Sequence, residues 1–279
     1  MSTPTVVPDI HRDQADRVLA ELESLNLITD DGVPMETIWH RKCMNLLIDQ
    51  VEYHLRDRDD FYVGGNAFIY YSPKQARNLD FRGPDFFFVW DTTRQPTRDC
   101  WIVWEEDLRT PNVVIELSSP STRDEDHGAK FKIYRDTLKV GNYFIYDPDA
   151  KLLEGWRRDG RNYVAIRPDE NGRLLSDELG LLIGKWDGEF VRDEATWLRF
   201  FRLDGRVVPV PVEAEIRHAL EEKRRADEEK RRAEEESRRA DEEKRRADEE
   251  KRRADAAVAE AARLREQLAR LQGAEEKSP

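Results

Sequence analysis

Apolar residues recur at helical spacing in two parts of the chain. In residues 38–55 they form one stripe, which holds Met44, Leu47, Ile48, Val51 and Leu55. In residues 124–138 apolar residues repeat at the same period, behind acidic residues that suit a helix N-terminus. Both segments are predicted helices. A further short helix is predicted at about 13–25, before the turn-forming residues 30–37.

Apolar and aromatic runs predict strands between and after these helices. Residues 61–72 and 85–91 are rich in aromatic and β-branched side chains, as strands usually are. Residues 112–119 are too continuously apolar for a surface strand, and residues 142–148 form another aromatic run that ends in Asp-Pro. The predicted order is helix, three strands, helix and strand, which is an α/β arrangement.

Short strands separated by turns continue through residues 152–212. A hairpin is predicted around Asp159-Gly160, and Trp156, Trp186 and Trp197 are expected to pack against the core. This segment is therefore a β-rich extension of one domain spanning residues 30–212. Residues 1–29 are predicted to be an N-terminal lead-in that contains the short helix.

Residues 213–272 are predicted to form a long charged helix. Five units of seven, of the type EEKRRAD, cover residues 221–255. The repeat places alanine at position a and glutamate at position d, a poor coiled-coil seam, but it offers acid-to-base pairs four residues apart, such as Asp227 with Arg231 and Glu228 with Arg232.

The end of this helix has a different pattern. In the same register, positions d, a, d, a and d are filled by Ala257, Ala261, Leu264, Leu268 and Leu271. Two arrangements remain open. One is a single solvated helix, and the other is a coiled coil closed mainly at its tip, which would give a homodimer through the C-terminal helix. Residues 273–279 are predicted to be a disordered tail.

Charge and composition narrow the classes of function. Of the net charge of −12, about −10 lies in residues 1–212, and such an acidic domain does not attract phosphates over its whole surface. The two cysteines, Cys43 and Cys100, lack metal-ligand spacing, and no signal peptide or membrane-spanning segment is visible. These features predict a cytoplasmic protein without a role in the membrane.

Two carboxylates stand at the ends of predicted buried strands. Asp85 follows Pro84 at the start of one strand, and Glu116 ends the next. Burying an unpaired carboxylate costs several kcal/mol. If the two acids converge, a hard divalent cation is the expected occupant, and the carbonyl of Leu117 is a suitable third protein ligand. Mg²⁺ is the predicted cofactor, and Mn²⁺ could substitute for it.

The helix over 124–138 adds a cation to this site. Asp126, Lys130 and Tyr134 recur every four residues, so they share one face. Lys130 could reach the carboxylates, orient a water molecule and offset charge in phosphodiester hydrolysis. Asp126 is equally consistent with a helix cap. His40 lies on the apolar stripe of its helix, where a hydrogen-bonded core histidine is the simpler interpretation.

Together these residues resemble a known family. Pro84-Asp85, Glu116 followed by Ser119-Pro120, Asp126 with Lys130, and Tyr134 are similar in order and spacing to the Uma-two putative restriction endonuclease family, within the PD-(D/E)xK nuclease superfamily. The resemblance spans roughly residues 30–205. It implies a PD-(D/E)xK nuclease-like core with a mixed sheet.

The resemblance also implies roles for individual residues. Asp85, Glu116 and Lys130 would be catalytic, with His40, Asp126 and Tyr134 in support. The superfamily's usual lysine lies two residues after the second acid, where this chain has Ser118, so Lys130 would act from the helix instead.

The function that follows is a Mg²⁺-dependent endonuclease, with DNA as the expected substrate and RNA left open. The alternative is a catalytically idle nuclease fold that acts as an interaction protein and presents the charged helix.

Overall fold

The computed structural model describes residues 37–78, 82–93 and 98–275, together with Arg17 and Ala20, and gives only the backbone for 267–275. Arg17 and Ala20 are helical, and the rest of the predicted first helix lies outside the described residues. The chain divides into two compact units, Met1–Glu213 and Ala214–Pro279. The first unit is a mixed α/β domain, as predicted.

The first unit is built on a six-stranded mixed sheet with strand order β1-β3-β5-β6-β7-β8. Strands β5 and β6 run parallel, and every other neighbouring pair in this sheet is antiparallel. Its strands are β1 Phe61–Gly64, β3 Phe86–Trp90, β5 Val113–Leu117, β6 Asn142–Asp147, β7 Leu152–Asp159 and β8 Asn162–Ala165. The predicted hairpin is confirmed, because β7 and β8 pair across Gly160, which has a φ of 59°.

The segment between β1 and β5 contains more and shorter elements than the sequence predicts. The single strand expected over 61–72 is two strands in different sheets, because β2 (Phe68–Tyr70) pairs in parallel with β4 (Cys100–Ile102) instead of continuing β1. A short helix, Pro73–Arg77, follows β2. The prediction of one strand was wrong because Gly64 and Gly65 interrupt the run where the chain changes direction.

Two helices cover opposite faces of the main sheet. The first, Ile38–His54, is called α1 and packs against β1, β3 and β11. The short helix Pro73–Arg77 is α2. The third, α3, runs over residues 123–137 as one α-helical turn, Arg123–Glu125, followed by two π-helical segments, Asp126–Lys130 and Ile133–Thr137.

Alternating residues of the central strands feed two separate cores. Phe86 and Phe88 enter the core on the α1 side, while Phe87 and Val89 enter the core that contains Tyr134 of α3. This alternation follows from the two-residue period of a strand. It places Glu116, like its neighbour Val114, on the α3 side of β5.

A second sheet closes the α1 side of the domain. It contains three antiparallel strands, β9 Leu174–Ser176, β10 Leu181–Phe190 and β11 Asp193–Phe201. Gln50 of α1 ties helix to sheet: its amide donates to the carbonyls of Phe200 and Val208 and accepts from Phe200 N at 2.9 Å. All three predicted tryptophans pack on the two cores, with Trp197 fully buried.

One buried ion pair lies in the same region. Arg199 of β11 is 1 % exposed and holds Glu213 through two hydrogen bonds of 2.9 and 2.7 Å. Its guanidinium also stacks over the Trp186 ring at 4.7 Å and donates to the carbonyl of Val208 at 3.2 Å.

The long C-terminal helix is confirmed and runs from Pro211 to Glu275; it is called α4. Its 65 residues correspond to a length of roughly 98 Å. Every residue from 215 to 266 is exposed. The prediction that 273–279 is wholly a disordered tail was wrong for residues 273–275, because a single glycine costs a helix only about 1 kcal/mol.

The predicted pairs within the repeat form only in part. Within the described residues 214–266, Glu235 and Arg239 make an ion pair at 2.8 Å, while Asp227 with Arg231 and Glu228 with Arg232 do not meet. Exposed pairs gain little, since water screens both charges. In the part of the chain that the structure describes, no helix is long and apolar enough to span a membrane.

Candidate active site

The backbone before β3 is held so that Asp85 sits at the mouth of the sheet. Pro84 has no N–H for the ladder, and its carbonyl accepts a hydrogen bond from Asn66 N at 2.8 Å. Gly65 lies so close that a Cβ there would be 2.3 Å from the carbonyl oxygen of Asp85. Gly65 is therefore a point of close backbone approach.

Both carboxylate oxygens of Asp85 have partners. Oδ1 lies 2.5 Å from Nε2 of His40, and Oδ2 accepts the backbone N–H of Leu117 at 2.7 Å. His40 occupies the first turn of α1, where the Thr37 side chain caps the helix by accepting from His40 N at 3.1 Å. The cap thus fixes the backbone position of His40 at the start of the helix. His40 therefore contacts the site and does not serve only as a core residue.

The contact with Leu117 links the two acids. Because N–H and C=O of one extended residue point to the same edge of a strand, the Leu117 carbonyl is directed to the Asp85 side as well. Ser118, the next residue, points its N–H the other way, to the carbonyl of Tyr146 on β6 at 2.8 Å. Asp85 is therefore held against the end of β5, beside Glu116.

Glu116 is nearly inaccessible, with 2 % of its surface exposed. Its Oε1 accepts a hydrogen bond from the Tyr134 hydroxyl at 2.8 Å, and its Oε2 accepts one from Lys130 Nζ at 3.0 Å. Both donors come from α3. The sequence prediction that Lys130 and Tyr134 share a face of that helix is confirmed by these two contacts.

Asp126 brings a second carboxylate to the same lysine. Its side chain is 1 % exposed, and Oδ1 lies 2.8 Å from Lys130 Nζ in an ion pair without hydrogen-bond geometry. No hydrogen-bond donor among the described residues reaches either of its oxygens. The helix-cap interpretation of Asp126 is therefore wrong, since a cap would accept a backbone N–H of the first turn.

The π-helical turns explain how these side chains stay aligned. A π-helix has more residues per turn than an α-helix, so residues four apart remain on one side over two turns. Asp126 begins the first π segment and Lys130 ends it, while Tyr134 lies in the second. The sequence did not predict this helix type, which is frequent at functional sites.

Tyr143 is a part of the site that the sequence analysis missed. Its hydroxyl donates to the backbone carbonyl of Asp126 at 2.9 Å, and its ring lies 5.0 Å from that of Tyr134. It belongs to the aromatic run of β6, where nothing in the sequence distinguishes it from its neighbours. The spacing from Asp126 to Tyr143 carries no periodic signal, because the two residues are on different elements.

The electrostatics of the cluster favour another positive charge. Burial raises the pKa of Glu116 to about 8, Lys130 acts against this, and Asp85 and Asp126 add to it. Burial disfavours the charged form of Lys130, but Glu116 and Asp126 outweigh burial and raise its pKa. One ammonium thus faces several acids, and the site carries surplus negative charge when all of them are ionised.

The protein atoms present fit a hard divalent cation. Among the described residues no three His, Cys, Asp or Glu side chains form a metal-binding group. Two carboxylates and one backbone carbonyl, from Asp85, Glu116 and Leu117, are nevertheless a donor set that Mg²⁺ uses together with water and phosphate oxygens. The buried Ser118 hydroxyl, which has no hydrogen-bond partner in the described part of the chain, is a further unsatisfied polar atom next to it.

The six side chains predicted for the site are thus connected by a chain of contacts that passes through the backbone of Leu117. His40 binds Asp85, Asp85 binds the backbone beside Glu116, and Glu116 binds Lys130 and Tyr134. Asp126 joins through Lys130. The N–H of Leu117 makes the observed contact with Asp85, and the role of its carbonyl as a metal ligand stays a prediction.

Of three comparisons with known proteins, the comparison with family models identifies the family. A search of curated proteins gave no significant match. Among solved structures, the chain is similar to a crystal structure of a putative nuclease from Anabaena variabilis, with 11 % identity and a TM-score of 0.41 over 58 % of this chain and 89 % of that one. The model of the Uma2 family, described as "Putative restriction endonuclease", matches residues 18–187, which is more than half of the chain. The chain therefore belongs to the Uma2 family.

Proposed function

We propose that the protein is a Mg²⁺-dependent endonuclease that hydrolyses phosphodiester bonds, with DNA as its substrate. Membership of a family described as restriction endonucleases supports a nuclease. Asp85, Glu116 and the Leu117 carbonyl are proposed to hold the metal ion, for which Mn²⁺ could substitute. Lys130 is proposed to assist the reaction, and His40, Asp126 and Tyr134 to support these groups.

One observation carries the proposal. Two carboxylates from different strands meet at one edge of the sheet, joined by the hydrogen bond from Leu117 N to Asp85, and one of them is buried against a lysine. A buried acid that serves only structure needs one matched cation. Here Lys130 is shared between Glu116 and Asp126, so balance needs one more positive charge, which is a proton on Glu116 or a bound metal ion.

The bound cation would polarise a phosphoryl oxygen and acidify a water molecule. The residues of the chain supply the rest. Because the pKa of Lys130 is raised, its amine remains an ammonium at neutral pH and acts through charge and hydrogen bonding, and not as a proton acceptor. Tyr134 orients Glu116 from one side, and His40 orients Asp85.

We also propose that the domain is a PD-(D/E)xK nuclease core. The main sheet supports this assignment: helix α1, strands β1, β3 and β5, helix α3 and strand β6 follow in order. The two acids lie at the start of β3 and in β5 near its end. The lysine comes from α3 instead of β5, fourteen residues after the second acid.

Plasmid cleavage tests this function. Purified protein with Mg²⁺ is expected to nick or linearise plasmid DNA, and the Asp85→Asn and Glu116→Gln variants are expected to lose at least about 100-fold in rate. Parallel assays with Mn²⁺, with EDTA and with single-stranded RNA define the metal and the nucleic acid. Cleavage by both variants at the parent rate would exclude this site.

A matched control comes from the same strand. Asp91 follows β3 at its other end and is exposed, so Asp91→Asn removes one carboxylate from the same element without touching the site. Its φ of 56° is a conformation that asparagine also adopts readily. This variant should keep full activity, which separates loss of the site from loss of net charge.

A second candidate function is an interaction protein with an idle nuclease fold. The exposed charged helix α4 favours it, as does the acidic domain. Calorimetric titration with Mg²⁺ or Mn²⁺ separates the two. An enzyme should bind the metal in a way that depends on Asp85, whereas an idle fold that leaves its site closed by Lys130 should show no such binding.

A further inference from the structure

The charges of α4 change character at one point, near Ala254. Upstream, in residues 226–253, every d position of the heptad is a glutamate: Glu229, Glu236, Glu243 and Glu250. Downstream, Ala257, Ala261 and Leu264 occupy d, a and d. Val258 and Leu264 are 69 % and 54 % exposed, so this tip presents apolar surface on an otherwise charged helix.

The residues at the flanking heptad positions, e and g, also change from repulsive to attractive near Ala254. In a parallel coiled coil, the residue at g faces the residue five positions later, at e, on the other helix. In the repeat this rule would place Arg225 opposite Lys230 of a second copy, and the same like-charged pairing recurs at Arg239 with Lys244 and at Arg246 with Lys251. Together with four layers of glutamate at d, these contacts repel.

At the tip the pairing becomes attractive. Glu260 is at g and Arg265 is at e, so a parallel second copy would place each glutamate opposite an arginine, twice in the dimer. The antiparallel alternative pairs g with g and e with e, which sets like charges against each other. The backbone is helical throughout this segment, up to Glu275.

We infer that the tip of α4, residues 254–272, pairs in parallel with the tip of a second copy of this chain, while the repeat keeps the two helices apart. The occupant is a second copy because the charge pattern complements itself only in that arrangement. The segment holds two to three heptads, so the association is weak and depends on protein concentration. This inference specifies the orientation of the two helices in the homodimer and the residues that pair. It is independent of the nuclease proposal.

Cysteine cross-linking of the full chain tests the orientation. In a Cys100→Ser background, where the remaining Cys43 is buried, Ala261→Cys places a thiol at position a and should form an intermolecular disulfide under mild oxidation. Ala259→Cys makes the same substitution at position f, on the opposite face, and is the matched control. Equal cross-linking of the two variants would overturn the parallel tip.

Charge exchange gives an independent test by sedimentation velocity. Glu260→Lys alone and Arg265→Glu alone should each weaken dimerisation about 10-fold, and the double exchange should restore it to within a few-fold. A parent chain that stays monomeric at all accessible concentrations would overturn the inference. So would single and double variants of equal affinity, because they would indicate an antiparallel pair or a different partner. Plasmid cleavage is measured in the same variants, so failure of the dimer is not confused with failure of the nuclease.

Discussion

Two cations of the domain, Arg199 and Lys130, differ in how their charges are matched. Arg199 faces one acid, Glu213, through two hydrogen bonds, stacks on Trp186 and also reaches a backbone carbonyl. Lys130 faces Glu116 and Asp126, with Asp85 close behind. The first arrangement matches one cation to one acid, as a structural pair should. The second has acid to spare, which is what a cation-binding site requires.

The largest effect should come from removing each cation. Lys130→Met leaves the buried Glu116 and Asp126 without a cation and is expected to lower the free energy of unfolding by about 3–5 kcal/mol in urea denaturation. Arg199→Met leaves only the partly exposed Glu213 without its partner and is expected to cost about 1–3 kcal/mol. The effect of Mg²⁺ on stability should distinguish the two variants. The ion should stabilise Lys130→Met more than the parent, because it replaces the missing charge, and Arg199→Met only as much as the parent. Equal gains would mean that the surplus of acid is not what distinguishes the site.

The next effect concerns the acids themselves. Glu116→Gln should abolish cleavage while leaving the metal-free stability unchanged or raised by about 1 kcal/mol, since it removes one of several competing acids. Glu213→Gln should lower stability by about 1–3 kcal/mol, because Arg199 then stays buried beside a neutral partner. Thermal denaturation in EDTA compares the two. A loss of stability in Glu116→Gln as large as in Glu213→Gln would contradict the distinction.

A smaller effect should appear in the pH dependence of stability. Burial raises the pKa of Glu116 from 4.5 to about 8, so between these values the folded state holds a proton that the unfolded chain has released. Stability therefore falls as pH rises through that window and levels off above it. In EDTA, the parent should lose about 1–2 kcal/mol relative to Glu116→Gln between pH 6.5 and pH 8.5. Parallel curves for the two proteins would show that Glu116 ionises normally.

The smallest effect should come from a single hydroxyl. Tyr134→Phe removes the hydrogen bond to Glu116 and should cost about 0.5–1.5 kcal/mol of stability and less than about 10-fold in cleavage rate. Tyr163→Phe is its control, because that hydroxyl donates to the backbone carbonyl of Val140 at 3.1 Å. The control should show a similar loss of stability and full activity. Equal activities in the two variants would remove Tyr134 from the site.

Much of the site was predictable because its residues break local patterns. Asp85 and Glu116 are charges on apolar strands, and Asp126 and Lys130 recur at helical spacing, so each stands out from its neighbours. Tyr143 and Gln50 do not stand out, because an aromatic residue in an aromatic strand and a polar residue on a helix are both ordinary. Their partners lie on other elements, and only the tertiary fold brings them together.

The fold was predictable to a similar degree and for similar reasons. The two larger helices of the domain and the central strands have strong periodicity or long apolar runs. Strands β2 and β4 have three residues each, which is too short for a periodic signal. The end of α4 extends three residues beyond the predicted one, because neither proline nor a competing cap follows before Glu275.

The tight fit at Gly65 has a consequence for genetics. A side chain there would collide with the carbonyl of Asp85 and, at 2.8 Å, with Met44 of α1, so even alanine must displace the acid or the helix. A random screen for inactive alleles should therefore recover Gly65 about as readily as the acids themselves. An observer working from such a screen alone would count this glycine among the reactive residues, although it has no side chain with which to react.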